Sequence, residues 1–252
     1  MIRFVGAGCG AADLITVRGQ RLLQEADVII YAGSLVNPAL LEVKKEGCKV
    51  YNSAEMTLEE VLSVMYDAEA QGLMTVRLHT GDPCLYGAIR EQMDALDERG
   101  IRYDYTPGVS SFCGAAAALN MEYTLPNVSQ SVVITRMAGR TPVPERESVR
   151  AFAAHKATMV LFLSTGLLEK TQAELIAGGY EPDTPAAIVY KASWPDEKTF
   201  LCTVGTLAQC AKANEVKKTA LIIVGDTVKQ SGYARSELYN PTFATEFRPA
   251  KE

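Results

Sequence analysis

Histidine is scarce in this chain: His79 and His155 are the two among 252 residues. Six cysteines (Cys9, Cys48, Cys84, Cys113, Cys202 and Cys210) are scattered with no C-x-x-C pair. A zinc site needs such ligands grouped at short spacings, so none is expected. Missing too is any apolar run of the ~18 residues that a membrane span requires. The opening "MIRFVGAG" lacks the basic region, apolar core and cleavage site of a secretory signal. Cytoplasmic residence with reduced thiols is the resulting expectation. Nor is there an excess of positive charge. A net charge of −5 offers no general attraction for nucleic acid or an acidic membrane, so a polyanionic ligand would need a local basic cluster.

Material for a core is abundant. Apolar residues make up 48% and charged residues 22%, which excludes a disordered chain, and the length suits one large domain or two moderate ones. The first half alternates strand and helix patterns. "IRFVGAG", "DVIIYAG", "KVYNS", "LMTVRLHTG" and "IRYDYTPG" read as strands. Between them lie "TVRGQRLLQEA", with apolar Val17, Leu22 and Leu23, "TLEEVLSVMYDAEAQG", opened by a Thr57/Glu60 capping box, and "AIREQMDALDERG". Such alternation predicts a mainly parallel sheet with helices on its faces. After "YTPGVSSFCGAAAALNMEYTLPN" five more strand candidates follow: "QSVVITR", "TMVLFLS", "AAIVYKAS", "KTFLCTVG" and "ALIIVG". Several leave no room for a helix between them, and "AAIVYKASWPDEKTFLCTV" reads as a hairpin, so this half predicts a mixed sheet. The expected organisation is two α/β domains, 1–112 and 113–252. The last segment, "SGYARSELYNPTFATEFRPAKE", has few periodic signals and reads as a surface tail or partner-contact arm.

Two loops could carry chemistry. "VGAGCGAADLIT" puts Gly6, Gly8 and Gly10 directly after the first strand and formally satisfies the dinucleotide fingerprint G-x-G-x-x-G/A, with Ala11 in the last place. That fingerprint also wants an acid at the end of the second strand to hold the ribose; Tyr31 stands there, and Asp27 lies at the strand's beginning. The missing acid argues against a nicotinamide site, and against the common methyltransferase variant of that fold. A purely structural glycine turn remains open. "RLHTGDPCLYGAI" is the second loop. Gly81, Asp82 and Pro83 suit a turn and a helix cap, and equally a ligand site at a strand-to-helix junction.

Taken together, "VGAGCGAADLIT", "RLHTGDPCLYG" and "PGVSSFCGAAAAL" resemble the tetrapyrrole (precorrin) methylases, whose patterns are V-G-x-G-x-G-D-P-x-L-[IL]-T, G-D-P-x-x-[YF]-G and P-G-[VI]-[ST]-[SA]. Each motif is weak alone; three in order and spacing are strong, and the resemblance spans essentially the whole chain. "YAGSLV", "HTGDPCLYGAIREQM", "TLPNVSQSVVITRMAGRTPVPE" and "MVLFLS" resemble one corrin-pathway branch of that family. Siblings on the same fold methylate uroporphyrinogen, other precorrins, ribosomal RNA or a modified histidine, so fold alone does not choose.

The resemblance implies the two-domain tetrapyrrole methylase fold, with a mainly parallel N-terminal sheet, a mixed C-terminal sheet and a cofactor trough between them. It implies S-adenosyl-L-methionine as methyl donor, S-adenosyl-L-homocysteine as product, and a homodimer. Thr80, Gly81 and Asp82 would meet the amino acid and ribose portions, Leu85 would give an apolar contact, and Ser110 and Ser111 would let adenosine lie close to the backbone. The Asp-Pro usual in the first motif is Ala11-Ala12 here, so the apolar wall that Pro gives in relatives falls to Ala12. Thr165, in "FLSTGL", stands where relatives supply Met, and Ala192, in "VYKAS", where several have Gly against adenine. A reduced tetrapyrrole with acetate and propionate arms calls for cations; Arg136 and Arg140 in "ITRMAGRTPVPE", and Lys191, are the candidates. Their alternative is a solvated loop. His79 would orient Asp82 or simply pack. Methyl transfer from a sulfonium to an electron-rich carbon rests on positioning and water exclusion, so no acid–base catalytic residue and no metal is expected. Uroporphyrinogen III as substrate, an NAD-dependent oxidoreductase and a non-catalytic tetrapyrrole carrier are the competing functions; the last would need the basic loop but not "TGDP".

Overall fold

The structure, a computed structural model, describes residues 1–251. The chain divides into two compact units. Unit 1 comprises Met1–Gly114 together with Ala192–Asp196; unit 2 comprises Ala115–Lys191 and Glu197–Glu252.

Unit 1 contains β1 (Ile2–Gly6), α1 (Val17–Glu25), β2 (Val28–Tyr31), β3 (Lys49–Asn52), α2 (Leu58–Ala70), β4 (Thr75–His79), α3 (Arg90–Asp97) and β5 (Tyr103–Thr106), and α4 (Ser111–Ala118) begins in it. All the strand pairs are parallel, in the order β3-β2-β4-β1-β5. Alternation decides the two faces. Ile2, Phe4, Val28 and Ile30 pack under α2 and α3 with Met65, Met93 and Leu96, whereas Val5, Ile29, Val76 and Leu78 pack with Leu22 and Leu23 of α1. α2 starts at the expected capping box, with Thr57 accepting from the Glu60 N–H and Glu60 accepting from the Thr57 N–H. Val17, expected on the apolar face of α1, is 86% exposed at the first helical position. A first-turn residue lies beyond the core that the later turns cover.

Strand order positions the site. β1 and β4 are neighbours, yet β1 leads through α1 toward the β3 edge and β4 leads through α3 to β5 at the other edge. Loops that diverge from adjacent parallel strands open a crevice at their C-terminal ends, where ligands of open α/β sheets bind.

Unit 2 contains β6 (Val132–Arg136), α5 (Val149–Ala153), β7 (Thr158–Phe162), α6 (Leu168–Ala177), β8 (Pro185–Tyr190), β9 (Lys198–Thr203), α7 (Leu207–Ala213) and β10 (Ala220–Val224). Its sheet order is β6-β7-β10-β8-β9; β6 and β7 are parallel and the other pairs antiparallel, including the expected β8–β9 hairpin. Met159, Leu161, Ile188, Ile222 and Val224 form one core with Leu175 and Leu207. Among the described residues no helix is long and apolar enough to cross a membrane.

Candidate functional site

The C-terminal ends of β1, β4 and β5 are knitted backbone to backbone. Gly8 and Gly81, both in the left-handed region (φ 82° and 59°), exchange N–H to carbonyl bonds of 3.3 and 2.8 Å. A Cβ on Gly6 would come within 2.5 Å of the Gly108 nitrogen and 2.7 Å of the Gly81 carbonyl oxygen. The three motifs singled out in the sequence therefore meet through glycines because no side chain fits between their loops.

Asp82 braces this junction. Oδ1 accepts from the Cys84 N–H at 2.9 Å and from the Tyr105 hydroxyl; Oδ2 accepts from the Gly108 N–H at 3.0 Å. Burial pushes the carboxyl's pKa up, but these donors outweigh it and hold the group below the ordinary carboxylate value. The Tyr105 hydroxyl is in turn pushed well above its usual range, by burial first and the Asp82 contact second. Around the brace, Thr80 is exposed, Gly81 buried, Leu85 half-buried in the turn that follows, Ser110 buried with its carbonyl accepting from Cys113 and Gly114, and Ser111 half-buried at the start of α4. Ala12 opens a 3-10 turn, Ala12–Leu14.

The glycine-rich turn has a second neighbour that sequence reasoning missed. Residues 192–196 join unit 1 after β8, and the Ser193 hydroxyl lies 3.0 Å from the Ala11 N–H and 3.2 Å from the Cys9 Sγ. A Cβ on Gly10 would lie 2.6 Å from the Trp194 Nε1 and 2.7 Å from the Ala192 carbonyl. Ala192 is buried here, between Lys191 and Ser193 that both have positive φ (47° and 65°). That pair of left-handed non-glycine residues is how the chain turns off β8. Asn37 adds a bond of 2.9 Å to the Gly10 carbonyl. The signal available was "SWP", polar and turn-forming inside what reads as a plain hairpin.

Structure places Ala12, Thr80, Gly81, Asp82, Leu85, Ser110, Ser111 and Ala192 in unit 1 and Thr165, Arg136, Arg140 and Lys191 in unit 2. Thr165 is buried, its hydroxyl donating to the Ala220 carbonyl at 3.0 Å. Arg136 turns its guanidinium onto its own loop, bonding the carbonyls of Thr141 (3.2 Å) and Pro142 (2.7 Å), while Arg140 is exposed. The Lys191 ammonium stands 5.4 Å from the Tyr190 ring centre.

His79 packs. It is 4% exposed, stacked against Phe4 at 6.4 Å between ring centres, with a buried Nε2 that has no hydrogen-bond partner among the described residues. Burial, with the Arg77 charge second, pushes its pKa from 6.5 down to about 3. The unfolded chain thus accepts a proton below 6.5 that the folded protein refuses. Stability is full above that pH and falls as pH drops toward 3, by up to about 1.4 kcal/mol per pH unit from this group. In urea unfolding at pH 7.5 and 5.5, His79→Phe should lose about 1 kcal/mol less between the two than the parent.

Comparison with known proteins follows the same lines. A family model described as Tetrapyrrole (Corrin/Porphyrin) Methylases matches residues 1–208. The cobalt-precorrin-4 C(11)-methyltransferase of Methanocaldococcus jannaschii is 52% identical over 244 residues, covering 97% of this chain and 94% of the relative. A solved cobalt precorrin-4 methyltransferase superposes with a TM-score of 0.88 at 47% identity, over 90% of this chain and 95% of the other. The uroporphyrin-III C-methyl transferase of Thermus thermophilus, solved with S-adenosylhomocysteine, gives 0.77 at 28% identity over 94% and 96%.

Proposed function

The chain belongs to the tetrapyrrole (corrin/porphyrin) methylase family, and from that premise we propose that it transfers a methyl group from S-adenosyl-L-methionine to carbon 11 of cobalt-precorrin-4 or precorrin-4. It is a methyltransferase of cobalamin biosynthesis, with uroporphyrinogen methylation the activity of more distant relatives. The observation that carries the reading is the glycine-knit junction at the ends of β1, β4 and β5, at the point where strand order reverses.

The donor set there suits the cofactor. Thr80 offers an exposed hydroxyl and Ser111 a half-exposed one, the backbone at Gly81 carries no side chain in the way, and the charged Asp82 keeps acceptor capacity on Oδ2 beyond its bond from Gly108. Ala12, Leu85, Ser110 and Ala192 are small or apolar, as a surface for the adenosine and methionine chain requires. When bound, S-adenosyl-L-methionine supplies an activated methyl to a nucleophilic ring carbon. The chain's own task is then to orient both reactants and keep water out, which asks for no acid–base residue. Asp82 serves by fixing the loop, its three donors holding it in one rotamer.

Arg140, with Arg136 and Lys191, is assigned to the carboxylate arms of the substrate. Arg136 shapes the loop from within, leaving Arg140 the exposed side chain. Arg140→Ala should raise KM for the tetrapyrrole on the order of tenfold, about 1.4 kcal/mol, and leave the Kd for S-adenosyl-L-homocysteine unchanged. We assign a cytoplasmic homodimer, for which the 232–251 tail offers exposed Tyr239, Phe243 and Phe247 on a turn tied by Arg248 to the carbonyls of Leu238, Asn240 and Phe243.

Calorimetric titration with S-adenosyl-L-homocysteine beside NADH tests the site. Binding of the first alone supports it and leads to methylation assays with cobalt-precorrin-4, precorrin-4 and uroporphyrinogen III; binding of NADH alone overturns it.

A further inference from the structure

The brace at Asp82 secures the beginning of the 81–89 loop. Beyond Leu85 the loop holds two non-glycine residues in the left-handed region, Tyr86 (φ 56°) and Ala88 (φ 48°), before α3 begins at Arg90. Side chains at such angles relax unless neighbours over-determine the conformation. At Ala88 a buried side chain contributes to this. Gln92, 4% exposed in the first turn of α3, donates from Nε2 to the Ala88 carbonyl at 2.9 Å and accepts at Oε1 from the Arg77 Nε at 3.1 Å.

We propose that Gln92 is a positioning residue for methyl transfer, holding the end of the cofactor loop through its bond to the Ala88 carbonyl, with Arg77 fixing which way the Gln92 amide points. The inference rests on the assignment of the 81–89 loop to the cofactor.

Arg77 is what makes the arrangement specific. It lies in the middle of β4, 6% exposed, and its Nη1 donates to the Ile30 carbonyl of β2 at 3.1 Å. Burial lowers its pKa to about 10, which leaves it charged at neutral pH. Both acceptors are neutral. An apolar side chain would fill this part of the core without the desolvation that a guanidinium suffers. The guanidinium has donors only, so it tells the two ends of the Gln92 amide apart: the oxygen must face Arg77, and the nitrogen is left for Ala88. Strand β4 therefore sets both ends of the loop, through Gly81 just beyond its last residue and through Arg77 in its interior.

Two variants of the full chain separate this role from general stability. Gln92→Glu keeps an acceptor for Arg77, now as an ion pair, but turns an oxygen instead of an N–H toward the Ala88 carbonyl. Gln92→Met removes both bonds. Both should raise the Kd for S-adenosyl-L-homocysteine about tenfold, although Gln92→Met melts earlier than the parent and Gln92→Glu does not. Amide hydrogen exchange over residues 84–90 should quicken in both. The proposal is overturned if Gln92→Glu binds like the parent, so that affinity merely follows melting temperature, or if exchange over the loop is unchanged. A parent protein that binds no S-adenosyl-L-homocysteine would refute the cofactor assignment instead, and the exchange experiment would still decide whether Gln92 anchors the loop.

Discussion

Asp82→Ala should raise the Kd for S-adenosyl-L-homocysteine on the order of 100-fold, about 2.7 kcal/mol, and lower the melting temperature as well. The size follows from what the carboxylate holds. Removing it strands the Cys84 and Gly108 N–H groups and the Tyr105 hydroxyl together, in a partly buried place where each unpaired donor costs about 1–3 kcal/mol. Water can recover some of that loss, because Asp82 and Tyr105 are only half-buried. Part of the penalty falls on folding and part on affinity, since the loop ordered by Asp82 must then be ordered by the ligand. Tyr105→Phe separates the two. It removes one donor and leaves the carboxylate bound to two backbone N–H groups, so calorimetry should show a loss nearer fivefold. Equal losses in the two variants would mean that the hydroxyl, not the loop, is what matters. An Asp82→Ala protein that binds like its parent would remove this loop from the cofactor site.

Gly6→Ala should destabilise unit 1 by on the order of 3–5 kcal/mol. The added methyl would meet the Gly108 nitrogen at 2.5 Å, the Gly108 Cα at 2.6 Å and the Gly81 carbonyl oxygen at 2.7 Å. These are backbone atoms of two other loops, so no rotamer change relieves the overlap. Relief requires β5 or the end of β4 to move, against five residue pairs of register between β1 and β4 and four between β1 and β5. Gly72→Ala is the control. Its Cβ would meet nothing within 4 Å, although φ is 69°, so about 1 kcal/mol is expected from the conformation alone. Urea unfolding of the three proteins measures both. A Gly6→Ala protein as stable as Gly72→Ala would show that the junction yields easily.

Much of the architecture was legible because it rests on periodicity and punctuation. Of the ten strands among the described residues, nine lie within stretches read as strands and β8 starts one residue before its stretch, at Pro185, while the Thr57 cap is marked by a local pattern of side chains. The all-parallel first sheet and the β8–β9 hairpin follow from what the connections have room for. What could not be read were interactions between distant residues with no local signature. The Tyr105 hydroxyl on Asp82 looks like one more polar position on an alternating strand. Arg77 and His79 alternate with Val76 and Leu78 as solvent-facing residues would, yet β4 is the middle strand and both of its faces are covered, so they are buried. The resemblance assigns Ala192 as a contact, but "SWP" marks only a turn, not that the bend of the hairpin belongs to the first compact unit. Arg136 illustrates the opposite limit. The resemblance marks it as a cation for an anionic ligand, and its own loop takes up the guanidinium.

That first unit is discontinuous in the chain, and synthesis runs from one end. Met1–Gly114 leaves the ribosome with β1 to β5 complete, but Ser193 and Trp194, which seat against Ala11 and Gly10, follow only after residues 115–191 have been made. At about 5–20 residues per second the nascent glycine turn waits roughly 4–15 s for its covering segment. During that interval the parallel sheet can form while its glycine turn stays uncovered, so the turn is closed late, timed by the hairpin between β8 and β9.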